Sequence, residues 1–243
     1  MNTRPIIQSL WIGESLSNME KLCISSFLKN GHPFHLYVYD EVKGVPEGTI
    51  LKDASKILPP NMIFKYKDHD SYAGFANLFR YKLLLEKGCY WVDTDVICLK
   101  PFQQRVEYIF AGEKISKQNN AYKATNCIIY VPIGSTIMDY CFTEAMKKEP
   151  DKLQWGETGP NLLTFAIKKF DMVSYVANPS VFCPVDWWSW YQLIDESFNI
   201  SILKDSRSVH LWNEMWRRNN INKSGNFPEN SIYEQLKRRY VIE

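Results

Sequence analysis

Residues 6–12 form a compact apolar run of strand type, closed by Gly13. Ser17-Asn18-Met19-Glu20 then spells a capping box, in which side chain and backbone satisfy each other's orphan donors. A helix over residues 18–29 follows, ended by Asn30-Gly31, and a second strand at 35–39 stops at Asp40-Glu41. This β-α-β order favours a parallel pair with a right-handed crossover. Residues 43–60 carry three prolines and little periodicity, and read as an irregular loop around a short helix. The longest helical pattern covers 71–87 and ends at Gly88. Residues 89–99 give two strand segments flanking an acidic triplet, closed by Pro101. Further strands are predicted at 109–111, 126–131 and 208–212, and helices at 135–148 and 161–169. After a loop with Gly225 and Pro228, Ser231-Ile232-Tyr233-Glu234 caps a C-terminal helix.

Strands alternating with helices argue for an α/β fold with a mostly parallel sheet covered on both faces. There is no internal repeat, low-complexity tract or linker at which to cut the chain, so residues 1–243 are expected to form one domain. The apolar fraction of 45% against 23% charged residues suffices for a core without disulfide or metal staples. A net charge of +2 offers no electrostatic case for nucleic acid as a partner. Arg217-Arg218 and Lys237-Arg238-Arg239 read as solvated helix faces, with peripheral contact to an anionic membrane as the alternative. Six cysteines lack any CxxC spacing and read as buried free thiols, which points to a reducing compartment. The first five residues have no secretory character and no stretch of about 20 apolar residues exists. A cytoplasmic protein is expected, from a bacterial or viral source.

The chemistry concentrates in Tyr90-Trp91-Val92-Asp93-Thr94-Asp95-Val96. Carboxylates at i and i+2 of extended backbone share one side, where they repel each other and call for a cation. Mn²⁺ or Mg²⁺ suits such oxygen ligands, completed by phosphate oxygens and water. The triplet would stand at a strand carboxyl end, where open parallel sheets bind ligands. The preceding helix is apolar nearly all round yet carries Asn77 and Arg80 three residues apart on one face. A buried guanidinium needs a partner, either in a structural ion pair or, for a functional role, in the hydroxyls of a bound sugar or one of the nearby aspartates.

Phe75-Ala76-Asn77-Leu78-Phe79-Arg80-Tyr81, then Gly88 and Trp91-Val92-Asp93-Thr94-Asp95-Val96, resembles the DxD glycosyltransferases of family 32. That group is similar to the α-1,4-galactosyltransferases, the yeast outer-chain mannosyltransferases and the glucosylating clostridial toxins. Leu10-Trp11-Ile12-Gly13 resembles the first strand of the family, whereas the second half is matched only by Thr158-Gly159-Pro160 and by His210-Leu211-Trp212 with Trp216. The resemblance implies a GT-A type, Rossmann-like domain, with residues 1–100 binding the nucleotide sugar and 101–243 forming an acceptor half and a C-terminal lid. It implies Asp93 and Asp95 as catalytic and metal-binding, with Arg80 on the donor hexose or diphosphate. Trp11, Ile12, Asn77, Trp91 and Trp212 would complete the donor site, although Trp11 and Trp91 also suit ordinary core packing. Asn77 departs from the family, which has aspartate there; an amide still accepts and donates but loses charge assistance.

His210 closes an apolar run and is either a structural histidine or a third metal ligand, as in related metal transferases. Trp212, Asn213 and Trp216 would form a lid that excludes water. Glu157, Asp186 and Trp187 are the acceptor-side candidates, the last within the aromatic run 184–191. The resemblance implies retaining transfer of a hexose, from a UDP-sugar foremost, to a glycan, lipid-linked or protein acceptor. Two rival classes stand beside it: a metal-dependent phosphohydrolase, and a sugar-binding or catalytically weak transferase-like protein.

Overall fold

The computed structural model describes residues 4–67, 69–104 and 107–240. A six-stranded sheet runs in the order β3-β2-β1-β4-β7-β6. Its strands are β1 (Ile7–Trp11), β2 (Phe34–Val38), β3 (Ile50–Asp53), β4 (Cys89–Val92), β6 (Ile109–Lys114) and β7 (Tyr122–Val131). β5 (Val96–Cys98) leaves this sheet and pairs antiparallel with β8 (Ser208–His210) in a separate ribbon. The helices are α1 (Asn18–Lys29), α2 (Ala73–Lys87), α3 (Thr136–Met146), α4 (Leu162–Lys169), α5 (Pro179–Phe182), α6 (Asn213–Arg218) and α7 (Ile232–Tyr240).

The expected β-α-β unit forms: β1 and β2 are parallel and α1 connects them. Ser17 and Glu20 make both arms of the capping box. Strand pleat then sorts side chains between two cores. Ile7, Leu36, Tyr90 and Val92 face α1, α6 and α7, whereas Leu10, Tyr37 and Trp91 face α2, α3 and α4. The sheet is parallel from β3 through β4, and β7 and β6 add an antiparallel edge.

Two expectations change. The stretch 43–60 contains β3, an edge strand beside β2 whose Ile50 and Leu51 face solvent. Its apolar residues line no core, so no alternation marks it. β7 also begins earlier than residue 126 and carries an irregularity: the pairing jumps from Phe110↔Ile129 to Gly112↔Ala124. A bulge of this kind re-aims side chains and commonly lies beside a site. The expectation drawn from the first five residues falls partly outside the described ones, which begin at Arg4. Among the described residues, no helix is long and apolar enough to cross a membrane.

Candidate active site

Three elements deliver polar groups to the carboxyl end of β4. α2 presents Asn77 and Arg80, the β4–β5 connection presents Asp93 and Asp95, and β8 presents His210. The two carboxylates converge through a turn closed by the Val96 N–H on the Asp93 carbonyl at 3.1 Å, rather than by continuing an extended strand. Gly88 turns the chain from α2 into the opposite, amino end of β4. Its φ of +60° and ψ of −154° suit glycine, and an added Cβ would stand 2.7 Å from the Ile133 backbone nitrogen.

Arg80 is buried and donates from Nη2 to Asp93 Oδ1 at 2.6 Å. Its guanidinium lies 4.7 Å from the Trp91 ring centroid, and the Trp91 indole donates to the same Asp93 oxygen at 2.7 Å. Burial pushes the Asp93 carboxyl up against the opposing pull of Arg80, and the nearby Asp95 charge pushes the same way. Asn77 Oδ1 accepts from Asn126 Nδ2 at 2.6 Å and from Arg80 Nη1 at 3.3 Å. Gly159 makes room for this pair, since a Cβ there would lie 2.9 Å from Asn77 Nδ2.

Asp95 is held from the other side. His210 Nε2 lies 3.1 Å from its Oδ2, and the Asn213 N–H donates to that oxygen at 2.8 Å. Burial acts to raise the Asp95 carboxyl, but His210 and these hydrogen bonds hold it below the usual range. The β5–β8 ribbon pairs Val96 directly with His210, so strand register places the imidazole. Ligand atoms of Asp93, Asp95 and His210 lie within 4.8 Å of one another, a donor set of hard oxygens and one imidazole that fits a small divalent cation.

The remaining candidates divide. Trp11 is half-buried at the carboxyl end of β1, beside β4, and its buried Nε1 has no hydrogen-bond partner. Ile12 packs against the core that contains α2. Trp91 is only 2% exposed, so it supports Arg80 and Asp93 from beneath rather than offering a free face. Trp212 and Trp216 are 9% and 0% exposed, and the Trp212 and Trp216 indoles donate to the carbonyls of Val185 and Leu211. The expected lid is instead core structure here, because indoles of this size bury more favourably than they cover a cleft. Trp212 adopts φ +59°, and its ring lies with its centroid 4.0 Å from that of His210, tilted by 41°.

Glu157 is paired with Lys148 at 2.6 Å, and this hydrogen bond, with one from the Gln154 N–H, holds its carboxyl below the usual range. Asp186 faces Lys114 at 3.5 Å and Trp187 is exposed. Among the described residues no hydrogen bond or ion pair joins these three to the acidic centre. Four other residues do approach it without having been singled out for the site. Asn126 holds Asn77, and Cys127 and Cys183 lie beside His210. Glu113 is pushed up by burial while Lys123 and His210 pull it down. Three of these four, Glu113, Asn126 and Cys127, stand on the bulged β6–β7 pair, and no local sequence signal marks them.

Converging carboxylates at the carboxyl end of β4, in a sheet whose β3 to β4 portion is parallel, stand where open α/β sheets bind ligands. Residues 132–242 match a family model described as the alpha 1,4-glycosyltransferase conserved region. That match lies in the second half, apart from the helix and DxD strand of the first hundred residues, and it contains Gly159 and His210. No curated protein matches the chain. Among solved structures, the apo-form glycosyltransferase GlyE of Streptococcus pneumoniae TIGR4 is similar with a TM-score of 0.50 and 13% identity. The likeness covers 100% of this chain and 61% of that one, so this chain spans about three fifths of that protein's length. The PaToxG glycosyltransferase is similar at a TM-score of 0.49 and 16% identity, over 69% of this chain and 70% of that one. At such identities the likeness concerns the fold. The family match and the α/β fold together support a glycosyltransferase.

Proposed function

We propose that the protein moves a hexose from a nucleotide sugar, a UDP-hexose foremost, to a glycan, lipid-linked or protein acceptor, with Mn²⁺ or Mg²⁺ held by Asp93, Asp95 and His210. The observation that carries this reading is the convergence of those three ligand atoms within 4.8 Å, from segments more than a hundred residues apart. When bound, the cation offsets the charge that develops on the departing nucleoside diphosphate.

The chain's own groups supply the rest. Arg80 keeps a buried Nε–H without a partner, and Asn77 offers its amide beside it, so both can bind hexose hydroxyls or diphosphate oxygens. Trp11, with an unspent indole N–H, is suited to stack on the base. Trp91 fixes Asp93 and Arg80 relative to each other and limits their reorganisation as charge develops. Retention of anomeric configuration follows from the family resemblance, with the leaving phosphate oxygen accepting the proton of the acceptor hydroxyl. Residues 1–100 would serve the donor and 101–243 the acceptor, within one domain.

The test is a thermal-shift and hydrolysis panel of UDP-glucose, UDP-galactose and GDP-mannose with and without Mn²⁺. Bound donor should raise Tm by mass action, EDTA should abolish the shift, and Asp95→Asn should abolish both shift and hydrolysis. Equal hydrolysis with EDTA, or release of inorganic phosphate in place of free sugar, would reject the reading.

A further inference from the structure

His210 has a second face. Its Nε2 turns to Asp95, while its Nδ1 is buried and has no hydrogen-bond partner. Ligand atoms of Cys127, Cys183 and His210 fall within 4.8 Å of one another, and with Nε2 engaged by Asp95 the nitrogen left to serve the two thiols is Nδ1. Cys127 and Cys183 are 1% and 2% exposed, and their sulfurs are 3.7 Å apart. Two thiolates on a tetrahedral Zn²⁺ at about 2.3 Å each stand about 3.8 Å apart, so the sulfurs already have the separation that a shared ion needs.

The placement arises from tertiary structure. Cys127 lies within the irregularity in β7, Cys183 follows α5, and α5 contacts both β6 and β8. A buried imidazole nitrogen left unpaired beside two thiols costs free energy in an ion-free protein. A soft cation removes that cost by engaging all three atoms.

We propose that Cys127, Cys183 and Nδ1 of His210 form a site for a soft divalent cation of the Zn²⁺ class, distinct in position and chemistry from the acidic site on Nε2. A neutral imidazole has one lone pair. Directed from Nδ1 to the thiolate-held ion, it leaves Nε2 protonated and donating to Asp95, and removes the imidazole from the oxygen-rich site. Directed from Nε2, it turns an N–H toward the sulfurs. Occupation of one site therefore excludes His210 from the other, and a thiophilic metal acts as an antagonist of Mn²⁺. The sulfur site stands on its own geometry; only the antagonism rests on the functional reading above.

Co²⁺ reports the ligands directly, because thiolate ligation gives an intense near-ultraviolet charge-transfer band that oxygen and imidazole ligation do not. The full chain, reduced and metal-free, should develop this band to one equivalent, and Zn²⁺ should bleach it. Cys183→Ser and Cys127→Ser should lose most of it, whereas Cys89→Ser should keep it. Should a cysteine variant fail to fold, alkylation of the unaltered protein under mild denaturant serves instead: Zn²⁺ should protect the peptides bearing Cys127 and Cys183, and not the one bearing Cys89. Loss of two thiols to a disulfide without Zn²⁺ protection, or a band that survives both substitutions, overturns the site. For the antagonism, one equivalent of Zn²⁺ should weaken Mn²⁺ binding at least tenfold, followed by Mn²⁺ electron paramagnetic resonance without nucleotide. Unchanged Mn²⁺ affinity while the thiolate site is filled overturns the exclusion.

Discussion

Arg80 and Asp93 form a 2.6 Å ion pair on top of the Trp91 indole, which itself donates to Asp93 at 2.7 Å. The three side chains act as one unit. Truncation of Arg80 removes the cation but leaves Asp93 largely buried. Breaking a buried pair this way costs about 3–5 kcal/mol, and the 27% exposure of the Asp93 side chain places Arg80→Ala at the lower end. Arg80→Lys keeps the charge but lacks the planar fork that reaches Asp93 and Asn77 together, so it should recover stability in part and donor binding little. Urea denaturation and donor titration of both variants check this.

Asn77 is expected to tolerate aspartate. Its Oδ1 is already the acceptor of two hydrogen bonds, and a carboxylate oxygen would accept both, with charge assistance from Arg80. Asn77→Asp should remain within about 1 kcal/mol of the parent and bind donor at least as well. Asn77→Ala leaves Asn126 Nδ2 and Arg80 Nη1 unpaired and should cost about 1–3 kcal/mol, with a raised donor KM. Melting curves paired with steady-state kinetics separate these outcomes.

Two glycines should fail in different ways. At Gly88 an added Cβ meets the backbone of Ile133 at 2.7 Å and of Pro132 at 3.0 Å, and φ is +60°. Backbone cannot yield, so Gly88→Ala should destabilise by about 1–3 kcal/mol or more. At Gly159 the Cβ meets the side-chain amides of Asn77 and Asn126 at 2.9 and 3.1 Å. Those side chains can move, so Gly159→Ala should fold with a small loss of Tm and a larger loss in kcat/KM. Equal losses at the two positions would contradict this placement of Asn77.

His32 should give the fold a pH dependence far from the acidic site. Its Nε2 accepts from the Phe102 N–H at 2.9 Å and its Nδ1 lies 2.9 Å from the Pro5 carbonyl, an arrangement of the neutral ring. Burial lowers its pKa, and the Arg4 charge adds to this against the bond to Pro5. The unfolded chain therefore binds the proton more readily. Stability from this group is complete above about pH 6.5 and falls as pH drops below it toward the folded pKa. Denaturation midpoints between pH 8 and pH 5.5 should decline, and His32→Gln should flatten that part of the profile. His35, also lowered by burial, sets a residual slope.

Much of the local architecture was legible. The helix at Asn18–Lys29, the strands flanking the acidic triplet and the Gly88 stop agree with expectation to within about two residues. Caps, turns and apolar periodicity act over a few residues, so the chain carries them in plain order. Arg80's need for a partner was also readable from its buried helix face, although two partners were open. β3 escaped notice because it is a short edge strand with exposed apolar residues.

By itself, then, the sequence determined the alternation of strands and helices, the apolar helix with Asn77 and Arg80 on one face, and the acidic triplet after β4, though not the turn that brings its carboxylates together. Only the tertiary structure decided which groups meet there. Asn126 reaches Asn77 across 49 residues, Cys183 reaches Cys127 across 56, and His210 reaches Asp95 across 115. These meetings depend on a bulge in β7 and on a two-stranded ribbon between β5 and β8. The same packing drew Trp212 and Trp216 into the core. Long-range pairing and burial are properties of the whole chain closing on itself, and no window of neighbouring residues contains them.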